Sequence, residues 1–375
     1  MATIHPDEAG ARPEYKALVL CCRTELTPAH ADHLARYLSD EDLQWNYLVT
    51  LAGYHGVQPL LYCHLRSMEE HLLSEKHMTW LRGVVGARSA HSLVLMQELG
   101  RLTELCAQQH LPMLAVKGAV LAQSVYGGVA LRPFADIDLV IRREDFTHLE
   151  TLLRQQGYGS RKMSPFQKTS YLYINGQYTF WRRIPSLGEA AAFIDVHTAI
   201  MPPGYAYSEN FDALTARSVT VPVAGRQVPT LGREDLLQVI CYHGFKNRWD
   251  RFKYICDLAE LIRASPDMDW EAAYHRMHAM RSRRVLRLGL FLASALLDAP
   301  LPRQVWEDVR EDRRVRDIGH AIIDRLPRQA HIKVEPYWER VRLNVLAQDT
   351  VGGGLRYGAY SAARKVTDLY LPAGE

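Results

Sequence analysis

Residues 111–142 constrain the fold of this chain more than any other stretch of the sequence. They read LPMLAVKGAVLAQSVYGGVALRPFADIDLVIR: an apolar run, Lys117-Gly118, a short helical pattern, a Gly-Gly break, an Arg-Pro turn and an acidic strand. Glycine lets a backbone approach a ligand closely, and the start of a helix offers unpaired N–H groups to an anion. This order predicts a small sheet in which an anion-binding turn lies beside the acidic strand.

The acidic strand carries Asp136 and Asp138, which are two residues apart. Side chains alternate along a strand, so both carboxylates lie on one face while Ile137 and Leu139 lie on the other. Two carboxylates at this spacing repel each other unless a cation lies between them, and oxygen ligands of this kind suit Mg²⁺ or Mn²⁺. An edge strand with a polar face can read the same way, so this motif alone leaves both interpretations open.

A third carboxylate comes from a later strand with the sequence FIDVH, in which Asp195 and His197 share one face. Beside the first acidic strand, Asp195 would complete a three-carboxylate metal site. Such a site can activate an attacking oxygen and hold a triphosphate during in-line displacement at phosphorus. His197 is open to three interpretations: contact with substrate, a hydrogen bond to a carboxylate, or a structural role.

Composition excludes several classes of protein. The 375 residues carry a formal net charge of +3, too small to indicate nucleic-acid binding by bulk electrostatics. None of the six cysteines forms a Cys-x-x-Cys pair, which predicts reduced thiols. The sequence shows no secretory signal and no apolar run of membrane-spanning length. These features favour a cytoplasmic enzyme without a membrane partner, and they predict no oligomeric state.

Helical patterns flank the central stretch. Apolar residues recur at helical spacing over residues 15–106, and again from residue 233 onward. Strands are predicted at 113–116, 135–141 and 191–197. We therefore expect an α+β fold, in which a small mixed β-sheet core is flanked by mainly helical N- and C-terminal regions. The expected division is a helical N-terminal region (1–110), an α/β core (111–230) and a helical C-terminal region (231–375).

Two β-hairpins are also predicted. Residues 170–174 and 177–181 alternate on either side of Asn175-Gly176, a dipeptide typical of a type I′ turn. A minor hairpin is expected from 219–223 and 227–229 around Ala224-Gly225. Aromatic residues of the first hairpin could line a ligand site, although packing in the core is the favoured interpretation; they are Tyr171, Tyr173, Tyr178, Phe180 and Trp181.

The run LAVKGAVLAQSVYGGVALRPFADIDLVI resembles the signature of a bacterial nucleotidyltransferase family called NTP_transf_5, in the DNA polymerase β-like nucleotidyltransferase superfamily. The family pattern is matched here by Leu114, Lys117, Gly118, Arg132, Pro133, Asp136, Ile137, Asp138 and Leu139. A later acidic-x-His pattern is matched by Asp195 and His197. Two downstream helices match the family at His243, Lys246, Trp249, Tyr254 and Asp257.

This resemblance implies a nucleotidyltransferase core and a role for each matched residue. Asp136, Asp138 and Asp195 would be catalytic and would bind Mg²⁺ or Mn²⁺. Residues expected at the nucleotide phosphates are Lys117, Gly118, Arg132, Lys246 and Lys253. His197 and His243 would contact substrate. For Lys246 and Lys253, simple solvent exposure is the alternative, and Asp257 is expected to form a salt bridge with Arg132 or Lys253.

The Lys117-Gly118 turn departs from the wider superfamily, whose usual phosphate turn is Gly-Ser or Gly-Gly. Lys117 is therefore expected to replace the serine hydroxyl. The reaction implied is transfer of a nucleoside monophosphate, AMP if ATP is the donor, to a hydroxyl or phosphate of a small-molecule or peptide acceptor. Relatives that resemble this chain occur in peptide natural-product pathways, which agrees with a tailoring role. The alternatives are toxin-like nucleotidylation of protein or tRNA, and a non-catalytic nucleotide-binding or scaffold protein; other nucleic-acid partners are not expected.

Overall fold

The computed structural model of this chain describes residues 12–184, 191–201, 204, 209–327 and 337–370. Within these residues the fold is α+β, as predicted: helices surround one seven-stranded mixed sheet. Buried hydrophobic residues from the N-terminal helices, the sheet and the C-terminal helices form one continuous core. No described helix is both long and apolar enough to cross a membrane.

The elements fall in three consecutive groups. The first consists of helices only: α1 (Pro13–Cys21), α2 (Pro28–Leu38), α3 (Trp45–His55), α4 (Gln58–Leu65), a 3-10 turn (Glu70–Leu72) and α5 (Glu75–Gln108). The second contains the strands: β1 (Leu114–Val116), α6 (Gly118–Ser124), β2 (Asp136–Val140), α7 (Phe146–Gln155), β3 (Gly159–Ser160), α8 (Pro165–Asn175), β4 (Gln177–Arg183), β5 (Ala191–His197), α9 (Phe211–Ala216), β6 (Val219–Val223) and β7 (Arg226–Thr230). The third is again helical: α10 (Arg233–Lys246), α11 (Phe252–Arg263), α12 (Trp270–Ala279), α13 (Arg283–Leu297), α14 (Arg303–Glu311), α15 (Arg313–Arg325), α16 (Tyr337–Leu346) and α17 (Val351–Tyr370).

The strand order of the sheet is β3-β4-β5-β2-β1-β7-β6. Strands β2 and β5 are parallel neighbours at its centre, and β1 pairs with β2 in antiparallel orientation. Strand β4 continues the sheet on the far side of β5, also antiparallel. The predicted strands at 113–116, 135–141 and 191–197 therefore come together as β1, β2 and β5.

The first predicted hairpin is wrong in its first half, because residues 170–174 belong to helix α8. The helix begins at a capping box in which Ser164 and Gln167 satisfy each other's backbone N–H groups. It ends at Gly176, whose φ of 67° is the left-handed conformation of a helix C-cap. Asn175-Gly176 thus terminates a helix instead of forming a type I′ turn, while residues 177–181 do form a strand.

The second predicted hairpin is confirmed. Strands β6 and β7 pair in antiparallel orientation, and the intervening Ala224 and Gly225 both have positive φ, at 49° and 78°. Two successive positive φ angles are the pattern of a type I′ turn. The cysteines are unpaired thiols, as predicted, and all except Cys63 are buried.

Candidate active site

Asp136, Asp138 and Asp195 lie on one face of the sheet centre. In the parallel β2–β5 pair, Asp138 is directly opposite Asp195, and Asp136 is opposite Phe193. Neighbouring strands are about 4.8 Å apart, so this register brings the three carboxylate-bearing side chains into one neighbourhood. The alternate residues of both strands are buried on the other face: Ile137, Leu139, Ile194 and Val196.

Asp138 is the most enclosed of the three. Its Oδ1 accepts a hydrogen bond from Lys117 Nζ at 2.6 Å, and His197 Nε2 lies 2.9 Å from the same oxygen. Burial alone would raise the pKa of Asp138, but Lys117 and His197 outweigh it and hold the pKa well below its usual range. Asp138 is therefore ionised. His197 contacts this carboxylate, which is one of the three interpretations that the sequence left open for it.

Asp195 is held by uncharged donors from β4. Thr179 donates to its Oδ1 at 2.5 Å, and Gln177 donates to its Oδ2 at 3.2 Å. Both donors follow from the pairing of β4 with β5, which sets Thr179 opposite Asp195. Sequence analysis missed these two residues; the period-two alternation along 177–181 was visible, but nothing in the sequence fixes which residue faces Asp195.

Asp136 lies between acidic and basic neighbours in a largely buried position. Burial raises its pKa first, neighbouring Asp138 raises it further, and Lys117 acts in the opposite direction. Neighbouring carboxylate oxygens of this kind fit a hard divalent cation such as Mg²⁺ or Mn²⁺. In the described residues, no three Asp, Glu, His or Cys side chains are already arranged round a common metal position, because Asp138 and Asp195 point at protein partners.

Lys117 occupies an unusual backbone conformation at the junction of β1 and α6. Its φ of 54° and ψ of −124° match the first central residue of a type II′ turn, a position that favours glycine. A non-glycine residue there costs on the order of 1–3 kcal/mol, and such strain clusters at functional sites. The conformation is held in place by the Asp138 ion pair and by the first hydrogen bond of α6, from Leu121 N to Lys117 O at 2.8 Å.

Gly118 lets this turn approach β2 closely. A Cβ at this position would lie 3.2 Å from the carbonyl oxygen of Asp136 and 3.3 Å from the ring of Phe134. A side chain at this position would crowd the contact between the turn and the acidic strand, so glycine suits it.

Arg132 ties the turn to helix α11. Its guanidinium donates to Asp257 at 2.6 Å and 2.8 Å in a bidentate pair, and to the carbonyl oxygen of Gly118 at 3.0 Å. The hydroxyl of Tyr126 also donates to Asp257, at 3.0 Å. The predicted Asp257 salt bridge is thus formed with Arg132. We call Arg132, Asp257 and Tyr126 the brace.

A cavity of about 670 Å³ opens beside these residues. Asp136, Asp138, Lys117 and Gly118 form one wall, and helices α3, α4, α5, α10 and α11 contribute to the others. Two cationic side chains face it from α11 and the residue preceding it. Lys253 Nζ lies 5.0 Å from the ring centre of Tyr254, and the Arg251 guanidinium lies 5.3 Å from that of Tyr54.

Among the residues that the structure describes, Lys253 and Arg251 form no salt bridge, whereas Lys117 and Arg132, which also line this cavity, pair with Asp138 and Asp257. Burial lowers the pKa of Lys253, partly offset by Asp257. A half-buried ammonium group whose burial is only partly offset by a nearby carboxylate is stabilised when an anion enters the cavity. Arg251 was not predicted from the sequence, since a lone arginine in a loop carries no distinguishing signal.

A second cavity of about 50 Å³ lies on the other side of Lys117, and Lys246, His197 and Gln177 line it. His243 faces both cavities. Burial lowers the pKa of Lys246 to about 8 and lowers that of His243 well below its usual value. The structure thus brings nine of the ten predicted site residues to one or both cavities; Asp195 lines neither and stays on the sheet face.

Comparisons with family models and with solved structures each found a match. The model of a family described as uncharacterised nucleotidyltransferase, NTP_transf_5, matches residues 41–298. No curated protein matches the chain. Among solved structures, the solution structure of antibiotic-resistance factor ANT(2'')-Ia is similar, with 15% sequence identity, coverage of 64% of this chain and 96% of that chain, and a TM-score of 0.26. The family match spans more than half of the sequence, and the chain therefore belongs to the NTP_transf_5 family of nucleotidyltransferases.

Proposed function

We propose that this nucleotidyltransferase transfers a nucleoside monophosphate from an NTP, with ATP as the expected donor, to a hydroxyl or phosphate of a small-molecule or peptide acceptor. One observation carries the proposal: the acidic wall and the strained Lys117 turn face a cavity that also holds Lys253 and Arg251. Its volume of about 670 Å³ is in the range of small-molecule sites. Lys253 and Arg251, which form no salt bridge with any carboxylate in the described part of the chain, suit a polyphosphate there.

The proposed reaction uses phosphate-binding groups, a proton acceptor and a positioning residue from this chain. An acceptor oxygen forms a bond to the α-phosphorus, the bond from that phosphorus to the α,β-bridging oxygen breaks, and pyrophosphate leaves. Lys117, the amides that follow Gly118, and Lys253 bind the departing phosphates. Asp195 accepts the hydrogen bond of the acceptor hydroxyl, orients it and receives its proton. Arg132 holds the turn through Gly118, so we assign it a positioning role.

A divalent cation, Mg²⁺ or Mn²⁺, would be held by Asp136 and Asp138, with Asp195 on the neighbouring strand. When bound, it shields the triphosphate and polarises the phosphorus. Lys117 can exchange its Asp138 oxygen for a phosphate oxygen, since one ammonium group serves either acceptor. His197 keeps a hydrogen bond to Asp138 and fixes its orientation, as groups behind a metal ligand commonly do.

The test is incubation of the purified protein with each of the four α-³²P-labelled NTPs, Mg²⁺ and candidate acceptors. We expect ATP to label an acceptor, and Asp136→Asn or Asp138→Asn to reduce labelling by at least about a hundredfold. Asp317→Asn changes an exposed carboxylate on α15 and should leave labelling unchanged. Failure of the wild type to bind any NTP in calorimetry with Mg²⁺ or Mn²⁺ would refute the proposal.

A further inference from the structure

The catalytic face of the sheet also carries two exposed aromatic side chains, Phe193 on β5 and Trp181 on β4. They are 43% and 40% exposed. Phe193 is the direct register partner of Asp136 on one side and of Trp181 on the other. A single row therefore crosses the sheet, running from Asp136 through Phe193 to Trp181.

Strand alternation accounts for this exposure. Tyr178, Phe180 and Ile194 point to the opposite face and are buried there. Trp181 also lies against Gly159 of edge strand β3, where a Cβ would be 3.5 Å from the indole Nε1. The indole thus lies beside the backbone of Gly159, and Trp181 remains 40% exposed. Exposed large aromatics that continue a catalytic row need an explanation other than core packing.

The direction of the chemistry supplies that explanation. In an in-line displacement, the attacking oxygen and the leaving group lie on opposite sides of phosphorus. The Lys117-Gly118 turn, at the β1 side of Asp136, is where the proposed function puts the leaving phosphates. The acceptor must then approach from the β5 side, where Asp195, Phe193 and Trp181 lie.

We propose that Phe193 and Trp181 form the acceptor platform, on which a flat aromatic ring of the acceptor stacks. This inference rests on the proposed function and narrows its acceptor to a hydroxyl-bearing molecule with an aromatic ring. Strands are about 4.8 Å apart, so the two α-carbons lie roughly 5 and 10 Å from that of Asp136 along the row. The ring of the acceptor lies within that reach of its reacting hydroxyl.

Two alcohols that differ only in ring flatness test the platform: 2-naphthaleneethanol and its fully saturated decahydro analogue. Their binding is measured by saturation-transfer NMR, with the donor site filled by α,β-methylene-ATP and Mg²⁺. The wild type should bind the aromatic alcohol more tightly. Phe193→Ala and Trp181→Ala should each weaken that binding by roughly 5- to 100-fold, while Phe193→Tyr retains it.

Phe166→Ala is the matched control, because Phe166 is an 82% exposed aromatic on α8; its binding of both alcohols should equal that of the wild type. Circular dichroism of each variant confirms that it is folded. Equal binding of the two alcohols, no binding of either, or no effect of the two platform variants would overturn the inference. Weaker binding of the ATP analogue by Phe193→Ala and Trp181→Ala would also overturn the inference, because it would mean that these two aromatic residues bind the base of the nucleotide donor. Absence of ATP binding in the wild type would instead refute the proposed function itself.

Discussion

The brace makes the clearest quantitative prediction, through the substitution Asp257→Ala. The side chains of Arg132 and Asp257 are only 19% and 12% exposed, and their two short hydrogen bonds form a bidentate pair. Removing one partner of a buried pair leaves the other charge without compensation and costs about 3–5 kcal/mol of unfolding free energy. The hydroxyl of Tyr126 loses its acceptor as well, so the upper half of this range is expected.

Asp257→Asn should cost less, about 1–3 kcal/mol, because the amide oxygen still accepts a hydrogen bond while the charge is lost. Urea unfolding followed by circular dichroism measures both variants. Calorimetry with ATP and Mg²⁺ gives a second readout, since Arg132 also holds the carbonyl of Gly118. Weakened ATP binding is expected in both variants under conditions where they remain folded.

The matched control is Glu307→Ala. Glu307 pairs with Arg303 on helix α14, where the two side chains are 36% and 89% exposed. Pairs of this kind contribute about 0–1 kcal/mol. If Asp257→Ala and Glu307→Ala destabilise the protein equally, the brace has no structural role and the reasoning fails.

Three further predictions concern the turn, the small cavity and helix α8. Gly118→Ala should destabilise the protein by about 1–3 kcal/mol and weaken ATP binding, because the new Cβ meets the Asp136 carbonyl. The control Gly83→Ala, which has open space around it on α5, should stabilise the protein by about 0.5–1 kcal/mol. A higher unfolding temperature for Gly118→Ala than for Gly83→Ala would contradict this prediction. If the Lys246 ammonium group binds phosphate, ATP affinity should fall as the pH rises through about 8, because burial lowers the pKa of Lys246 to that value. Lys246→Arg should remove this fall. An ATP affinity that calorimetry finds to have the same pH dependence in both proteins would exclude phosphate binding by Lys246. Gly176→Ala should cost about 1 kcal/mol because of its φ of 67°, whereas a neutral result in urea unfolding would argue against the left-handed helix end.

Much of the sheet centre could be predicted from the sequence because it depends on local alternation. Strands β2 and β5 are short apolar runs in which Asp136 and Asp138, and Asp195 and His197, are two residues apart, and this spacing predicts that each pair shares one face of the sheet. The expectation that Asp195 lies beside the first two acids is confirmed by the β2–β5 register. The roles of the site residues and the division into three regions stay predictions.

The hairpin error shows where local reasoning fails. Asn-Gly provides positive φ equally well for a type I′ turn and for a helix end. Only the start signal upstream distinguishes them: Ser164, Pro165 and Gln167 form a helix N-terminus. The donors to Asp195 and the cations of the large cavity are contacts between distant segments, and nothing local in the sequence determines such contacts.

The residues of the brace are synthesised at different times. Arg132 and Asp257 are separated by 125 residues. At roughly 5–20 residues per second, a ribosome needs about 6–25 s to add them. During that time the nascent chain already contains Lys117, Asp136 and Asp138, but the partner that secures their turn has not been synthesised. A polypeptide released before residue 257 would therefore carry Asp136 and Asp138 without the partner that holds the Lys117-Gly118 turn, and we expect it to be unable to consume nucleotide.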